Sequence, residues 1–239
     1  MPVCPVYTIA MTRGILIVGN ESALTNAIEV EAARRVERYT LALLPDRLSG
    51  GDNAQIGLQS WASISADKRI PLEWNPGSPI SARTLIIAAE NRIEQVNEAI
   101  LVCDPPSART AAADLSMANV EILVNDYIKG WFYLVKELTA AFRAHGGGVM
   151  ALVSSETAAT GDKDDAVDLL GSTALAAFRA LTNGLLAAAF SESYQTLGFS
   201  GIEAGDDAGF ASFVFKQLDE GGRRSNGKLH KYGKTGFFR

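Results

Sequence analysis

Short apolar runs alternate with longer segments of helical periodicity along this chain, and that alternation constrains the fold more than any other feature. The runs at 14–19 (GILIVG), 99–103 (AILVC) and 149–153 (VMALV) have the length of one buried strand. Each run is followed by an amphipathic segment long enough for a helix. This order is typical of a parallel sheet whose connecting helices cover both faces. We therefore predict an α/β protein with a doubly wound parallel sheet.

The predicted elements place residues 14–239 in one domain, preceded by an N-terminal extension of residues 1–13. Pro71 lacks a backbone N–H, which argues against a central position for its strand. Ser81 is the predicted N-cap of its helix, and Gly146 ends the longest helix. The predicted strands are 14–19, 39–44, 69–74, 99–103, 149–153, 196–202 and 228–232, and the predicted helices are 24–38, 81–95, 119–145, 167–190 and 208–218.

Charge and cysteine content exclude several classes of function. The chain has 22 basic and 27 acidic residues, and this net charge of −5 argues against general nucleic-acid binding. Two cysteines form neither a metal-ligand cluster nor a disulfide framework, which favours a cytoplasmic protein. No apolar run has the length needed to span a membrane. Residues 223–239 carry six Lys or Arg and no acid, so they form either a solvated tail or a contact for an acidic partner or a phosphate-bearing ligand.

Four segments, in order, resemble the short-chain dehydrogenase/reductase family. Residues 124–132 (VNDYIKGWF) are similar to the asparagine-containing helix start of that family, and residues 147–155 (GGVMALVSS) to its strand that ends in two serines. Residues 101–104 (LVCD) stand where the family has L-V-N-N-A-G, and residues 226–233 (NGKLHKYG) resemble its closing segment. The resemblance covers about residues 14–236 and implies a single Rossmann-like domain of that family.

The family's phosphate-binding loop is only partly present. The family pattern T-G-x-x-x-G-x-G corresponds here to residues 18–25 (VGNESALT), which keep Gly19 alone and add Glu21. The missing glycines let the backbone approach the pyrophosphate. The resemblance implies Gly19, Asp46 and Asp104 as cofactor contacts, with Asp46 placed like the acid that binds the adenosine ribose. Asp46 also suits a Pro-Asp turn. We expect no cofactor, or only weakly bound NAD(P).

The catalytic set of the family is half removed. The resemblance implies Ser155 as the serine that orients the substrate carbonyl and Asn125 as the asparagine that supports a proton relay. The family's Tyr-x-x-x-Lys pair is missing, and helix register puts Leu170 and Ala174 in its place. Loss of a positioned acid costs about 10²–10⁴ in rate. Ser155 and Asn125 are therefore interpreted as vestigial.

Other candidate groups do not restore the chemistry. His145 stands at a helix end distant from the strand carboxyl ends, and His230 is near the C-terminus. The acids at 162–165 lack the glycine and the terminal glutamate of a calcium loop. The strand at 196–202 leads almost directly into helix 208–218. The small helices with which the family covers its substrate are therefore predicted to be absent.

Two predicted helices carry more apolar and small residues than packing against a single core requires. In the family, the helices that correspond to 119–145 and 167–190 form a shared dimer interface. Here the first is rich in large apolar residues, including Trp131, Phe132 and Tyr133, and the second is rich in alanine and glycine. Small residues let helices approach closely. We predict an oligomer interface on these helices.

Three functions are compatible with these sequence features. The first is a catalytically degenerate structural or regulatory subunit, which assembles with itself or with an active NAD-dependent dehydrogenase of the family. The second is an atypical NAD(P)-dependent oxidoreductase that uses Ser155 and Asn125. The third is a ligand-binding module in the remodelled crevice. The pattern of lost motifs favours the first, with no nucleic acid, membrane or metal involved.

Overall fold

A single parallel sheet organises the chain. The computed structural model describes residues 13–44, 47, 67–106, 111–155, 168–202, 205–220 and 225–233. Its strands are β1 (Ile15–Asn20), β2 (Tyr39–Leu44), β3 (Arg69–Leu72), β4 (Glu98–Cys103), β5 (Val149–Ser155), β6 (Gln195–Gly201) and β7 (Lys228–Tyr232). They lie in the order β3-β2-β1-β4-β5-β6-β7, with every neighbouring pair parallel. The chain winds outward from β1 in both directions, so the predicted doubly wound sheet is confirmed.

Helices cover both faces of this sheet. They are α1 (Ala23–Arg35), α2 (Pro79–Ile93), α3 (Met117–Ile122), α4 (Gly130–His145), α5 (Leu169–Ala188) and α6 (Asp207–Asp219). Side chains alternate between the two faces along each strand. In β1, Leu16 and Val18 therefore pack with α2, α4 and α5, whereas Ile15 and Ile17 pack with α1 and α6. Both faces are buried, which explains the continuous apolar runs in the sequence.

Proline and glycine mark the element boundaries as their chemistry requires, with one correction. Pro71 lies in β3, at the edge of the sheet. Gly146 ends α4 in the left-handed region, with φ 73°. The predicted N-cap Ser81 is wrong, because Ser78 caps α2 and accepts the Ser81 N–H at 3.3 Å. Pro79 begins this helix, since the first turn needs no N–H from its first residue.

The long helix predicted at 119–145 is interrupted. A π-helical segment, Leu123–Lys129, separates α3 from α4. This segment buries Leu123, Asp126 and Tyr127. A π-turn widens the helix by one residue per turn and is frequent at functional sites. Sequence periodicity alone predicted one regular helix, because an inserted residue shifts the apolar pattern without removing it.

The last predicted long helix, 167–190, is shorter than expected. Asp168 caps α5 and accepts the Gly171 N–H at 2.8 Å, while residue 167 lies outside the described part of the chain. By length and composition alone, the helical segment Leu169–Ser191 could cross a membrane. About a third (33%) of its most apolar 18-residue stretch is buried within the protein. Its inward face, which includes Leu170, Ala174 and Phe178, packs into the core. A helix packed on the core of a soluble protein can meet the same two criteria.

Candidate functional site

The carboxyl ends of the central strands bring several predicted site residues to one edge of the sheet. Gly19 pairs in register with Val102, one residue before the end of β4. Ser155, at the end of β5, pairs with Gly201 at the end of β6. Ligands of doubly wound sheets bind at this edge. Gly19, Asp104 and Ser155 thus lie where the sequence predicted them, whereas Asp46 lies outside the described residues.

Gly19 serves the packing of α1 on the sheet. A Cβ at this position would lie 2.8 Å from Thr25 Oγ1 and 3.0 Å from Val102 Cβ, both closer than side chains normally approach. The next residue, Asn20, closes the strand ends by donating from its side chain to the Asp104 carbonyl and accepting the Asp104 N–H at 2.9 Å. The space beside Gly19 is therefore occupied by the protein's own side chains.

The N-terminus of α1 is capped from within the chain. Ser22 Oγ accepts the Thr25 N–H at 3.2 Å, which satisfies one of the free donors of the first turn. Glu21 precedes this cap, and its Oε1 is buried without a hydrogen-bond partner among the described residues. A phosphate at this helix end would compete with Ser22 for the N–H donors and would approach the charge of Glu21.

Acidic groups near this helix end oppose an anionic ligand. Burial raises the pKa of Asp104, repulsion from Asp207 raises it further, and a hydrogen bond from the Ser22 side chain lowers it. Burial, with repulsion from Asp206, also raises the pKa of Asp207. Within the described ranges, a pyrophosphate placed here would meet carboxylates, and no guanidinium or ammonium group is among the groups that shift the pKa of Asp104 or Asp207. Arg179 acts instead on Cys103, the residue before Asp104. The described residues of this edge therefore do not fit the pyrophosphate of NAD(P).

Asn125 and Ser155 lie on different elements and are not hydrogen-bonded to each other. Asn125 lies in the π-helical segment, where its Oδ1 accepts from Lys129 Nζ at 3.1 Å. Its Cβ is 3.5 Å from the position that a Gly77 Cβ would occupy, so it packs against the loop between β3 and α2. Ser155 is half-buried at the end of β5. Within the described residues, neither side chain forms a hydrogen bond with an acid.

Leu170 and Ala174 are core residues. Leu170 is 3% exposed and Ala174 is fully buried, and both belong to the apolar cluster that contains Leu123 and Tyr127. The start of α5 therefore packs directly against the π-helical segment. These positions supply no proton donor and leave no space for one. Carbonyl reduction needs such a donor at the carbonyl oxygen as hydride reaches the carbon.

Asp126 is an unusual group that the sequence-based predictions missed. Its side chain is fully buried, and neither carboxyl oxygen has a hydrogen-bond partner in the described parts of the chain. Among the described residues, Asp126 forms an ion pair with Arg47, whose Nη1 lies 3.8 Å from Asp126 Oδ2. Burial raises the pKa of Asp126, and Arg47 opposes this shift. The sequence did contain a signal for this residue, because Asp126 is an acid on the apolar side of the helix predicted at 119–145.

The other candidate residues, where the structure describes them, make contacts within the fold. His145 Nε2 lies 2.7 Å from Glu90 Oε1, in a contact between α4 and α2. His230 stacks on Phe199, with ring centroids 5.3 Å apart. The acids at 162–165 lie outside the described residues. In the parts of the chain that are described, no three His, Cys, Asp or Glu side chains are grouped as metal ligands.

Comparisons with known proteins rest on structure. No protein-family model matches the chain, and no curated protein matches it by sequence. A short chain dehydrogenase from Mycobacterium smegmatis superposes with a TM-score of 0.70 and 13% identity, over 94% of each chain. A glucose/ribitol dehydrogenase of the short-chain dehydrogenase/reductase type from Brucella melitensis gives a TM-score of 0.69 and 15% identity, over 92% of this chain and 94% of its own.

A further short-chain dehydrogenase/reductase family oxidoreductase, from Aeromonas hydrophila, gives a TM-score of 0.67 at 12% identity and covers 93% of this chain and 99% of its own. All three matches extend over nearly the whole of both chains. The superpositions include most of the seven-stranded sheet and its helices. The chain therefore has the fold of the short-chain dehydrogenases/reductases.

Proposed function

We propose that this chain is a non-catalytic subunit of an oligomer of the short-chain dehydrogenase/reductase type. It assembles either with a second copy of itself or with a catalytically complete protein of that family. The observation that carries the proposal is the outward face of α5, which consists of small, mostly apolar side chains that the described chain leaves exposed. A contiguous exposed surface that is mainly apolar is typical of a protein contact.

The outward face of α5 offers little steric hindrance to a partner. Side chains on this face are small, and no atom of the described residues lies within 4 Å of the position that a Gly184 Cβ would occupy. A second helix can approach such a surface closely, because no long side chain has to be displaced. The exposed residues of α5 are Ser172, Thr173, Ala176, Ala180, Asn183, Gly184, Ala187 and Ala188.

Helix α4 offers a complementary face. Trp131, Leu134 and Leu138 are buried against the sheet, whereas Phe132 keeps 56% of its surface exposed. Exposed phenylalanine contributes no stability to an isolated subunit, but it can bury a large apolar area against a partner. Together with α5, it supports an interface made of two helices from each subunit.

The missing catalytic groups support the same function. The start of α5 holds Leu170 and Ala174 in the core, and the edge of the sheet carries Glu21, Asp104 and Asp207 near the N-terminus of α1. A catalytic subunit would need a proton donor at the first place and a cation or free N–H groups at the second. A subunit retained for its interface needs neither.

Sedimentation velocity tests the proposal. We expect the purified chain to form a dimer or tetramer, alone or mixed with a complete short-chain dehydrogenase/reductase from the same cell. Ala180→Arg and Phe132→Asp should each dissociate the assembly. The matched control is Ile80→Asp on α2, a residue with 77% of its surface exposed, which should leave the assembly intact. A chain that stays monomeric in both settings would rule the proposal out.

A further inference from the structure

A cavity lies at the edge of the sheet opposite the candidate site. Its volume is about 350 Å³. Arg13 and Gly14 precede β1, Val36–Arg38 precede β2, and Arg92–Glu94 lie at the end of α2, before β4, so the cavity opens below the amino ends of three strands. The charged residues that line it are Arg13, Arg35, Glu37, Arg38, Arg92 and Glu94. We call it the basal cavity.

Two of its arginines are held in place by acids. Arg13 donates to Glu98 at 2.6 Å and to Asp219 at 2.5 Å. Arg35 donates to the other oxygen of Asp219 at 3.0 Å. The guanidinium of Arg35 also lies over the ring of Phe215, 4.6 Å from its centroid. These contacts fix the wall of the basal cavity, so a ligand would not have to order it.

The other two arginines are available to a ligand. Arg38 and Arg92 are exposed, and neither forms a hydrogen bond or an ion pair with any residue that the structure describes. A guanidinium presents several N–H donors in one plane, which suits the oxygens of phosphate and carboxylate groups. Two such groups facing one cavity of small-molecule size can hold an anion between them.

Helix capping accounts for only part of this arrangement. Arg35 and Arg92 stand in the last turns of α1 and α2, where cations commonly interact with the negative helix end. Arg38 follows the C-cap of α1, and Arg13 belongs to no helix. The convergence of four arginines on one cavity therefore exceeds what the two helix ends require.

The rim of the basal cavity contains a rare backbone conformation. Glu94, the C-cap of α2, has φ 65° and ψ −53°, in a region that residues other than glycine seldom adopt. It is the one such non-glycine residue in the part of the chain that the structure describes. Strained conformations of this kind persist where the surrounding contacts enforce them, and they concentrate at binding sites.

We infer that the basal cavity binds the phosphate groups of a small phosphorylated organic molecule. Arg38 and Arg92 contact the phosphate oxygens, while Arg13 and Arg35 form the ordered wall behind them. The two edges of the sheet then differ in the charge they accept. The carboxyl edge presents Asp104 and its acidic neighbours to a ligand, whereas the amino edge presents four guanidinium groups against the two carboxylates of Glu37 and Glu94. This site does not depend on the oligomer, because its residues come from one chain.

Isothermal titration with inorganic pyrophosphate tests the inference on the full chain. We expect saturable binding by the wild-type protein. Arg38→Glu and Arg92→Glu should each weaken it by about tenfold or more, the usual effect of losing a hydrogen bond to a charged group. The matched control is Arg83→Glu, an exposed arginine of α2 that does not line the cavity. It makes the same change in net charge and should alter the affinity less than twofold.

Two outcomes would overturn the inference. One is the absence of heat from millimolar pyrophosphate with the wild-type protein. The other is an equal loss of affinity in Arg83→Glu and Arg92→Glu, because that result would trace binding to net charge alone. Thermal unfolding of each variant verifies that it is folded. Sedimentation velocity on the same samples tests the oligomer separately, so a failure of either proposal can be recognised on its own.

Discussion

Arg47 and Asp126 form an incomplete ion pair. Arg47 Nη1 lies 3.8 Å from Asp126 Oδ2, beyond hydrogen-bond distance, although the carboxyl group is fully buried. A buried carboxylate that lacks hydrogen bonds opposes folding. Because Asp126 lies in the π-helical segment, its burial also depends on the widened turn. The stability of the protein should therefore respond to this residue in an unusual direction.

Asp126→Asn should stabilise the protein at pH 7. The folded state holds the carboxyl proton more tightly than the unfolded chain, because burial raises the pKa of Asp126. The contribution of Asp126 to wild-type stability therefore declines as the pH rises above about 4. The asparagine side chain of the variant does not titrate, so the variant does not lose stability in this way. We expect a gain of about 1 kcal/mol at pH 7 in urea unfolding. Asp114→Asn, at an exposed aspartate, is the control. Equal stability of the variant and the wild type at pH 7 would contradict the prediction.

His230→Phe should remove a loss of stability in mild acid. Burial lowers the pKa of His230, Lys228 lowers it further, and a hydrogen bond that the imidazole donates to the Ser225 backbone carbonyl opposes both. The unfolded chain then binds the imidazole proton more tightly, so wild-type stability falls as the pH drops below about 6.5. Phenylalanine keeps the stacking on Phe199 and cannot be protonated. Thermal unfolding between pH 5 and pH 8 (about the range in which histidine titrates) measures the difference, and parallel curves would speak against it.

Gly130→Ala should destabilise the fold. The added Cβ would lie 2.6 Å from Pro76 Cβ and 3.2 Å from Pro76 Cα, and the proline ring cannot yield easily. Overpacking of this kind costs about 1–3 kcal/mol. Gly147→Ala is the matched control, because its Cβ meets no atom of the described chain within 4 Å. Chemical unfolding of both variants checks the prediction, which fails if they lose equal stability.

Titration with NAD and NADP should show no saturable binding at millimolar concentration. The carboxylates of Glu21, Asp104 and Asp207 oppose the pyrophosphate at the start of α1. Neutralising two of them in Glu21→Gln/Asp207→Asn should improve binding by on the order of 1 kcal/mol for each charge removed. Intrinsic tryptophan fluorescence can follow the titration. Tight binding by the wild-type protein would contradict the non-catalytic function.

Restoring the family's pair should fail. Leu170→Tyr/Ala174→Lys places a hydroxyl and an ammonium group in the core, at positions that are 3% and 0% exposed. A buried, unpaired ammonium costs several kcal/mol, about 3–5 by analogy with broken buried ion pairs. We expect the variant to unfold at much lower urea concentration and to reduce no carbonyl substrate. Wild-type stability in this variant would show that the start of α5 is open rather than packed.

Local sequence was enough to predict the layers of this protein and the absence of the family's catalytic pair. Apolar runs of strand length indicated a parallel sheet, since only strands covered on both faces can be apolar throughout. Pro71 indicated an edge strand and Gly146 a helix end, because their backbone requirements are local. The missing Tyr-x-x-x-Lys pair could also be read directly, as it needs only the residues after Ser155.

Contacts across the fold set the surroundings of the remaining residues. Gly19 leaves room for the side chains of Thr25 and Val102, which a Cβ at this position would approach too closely. The pKa of Asp104 is raised in part by Asp207. The π-helical turn buries Asp126, although a regular helix was predicted there. The arginines of the basal cavity come from separate parts of the chain. These properties arise from contacts between residues far apart in sequence, which local sequence patterns cannot predict.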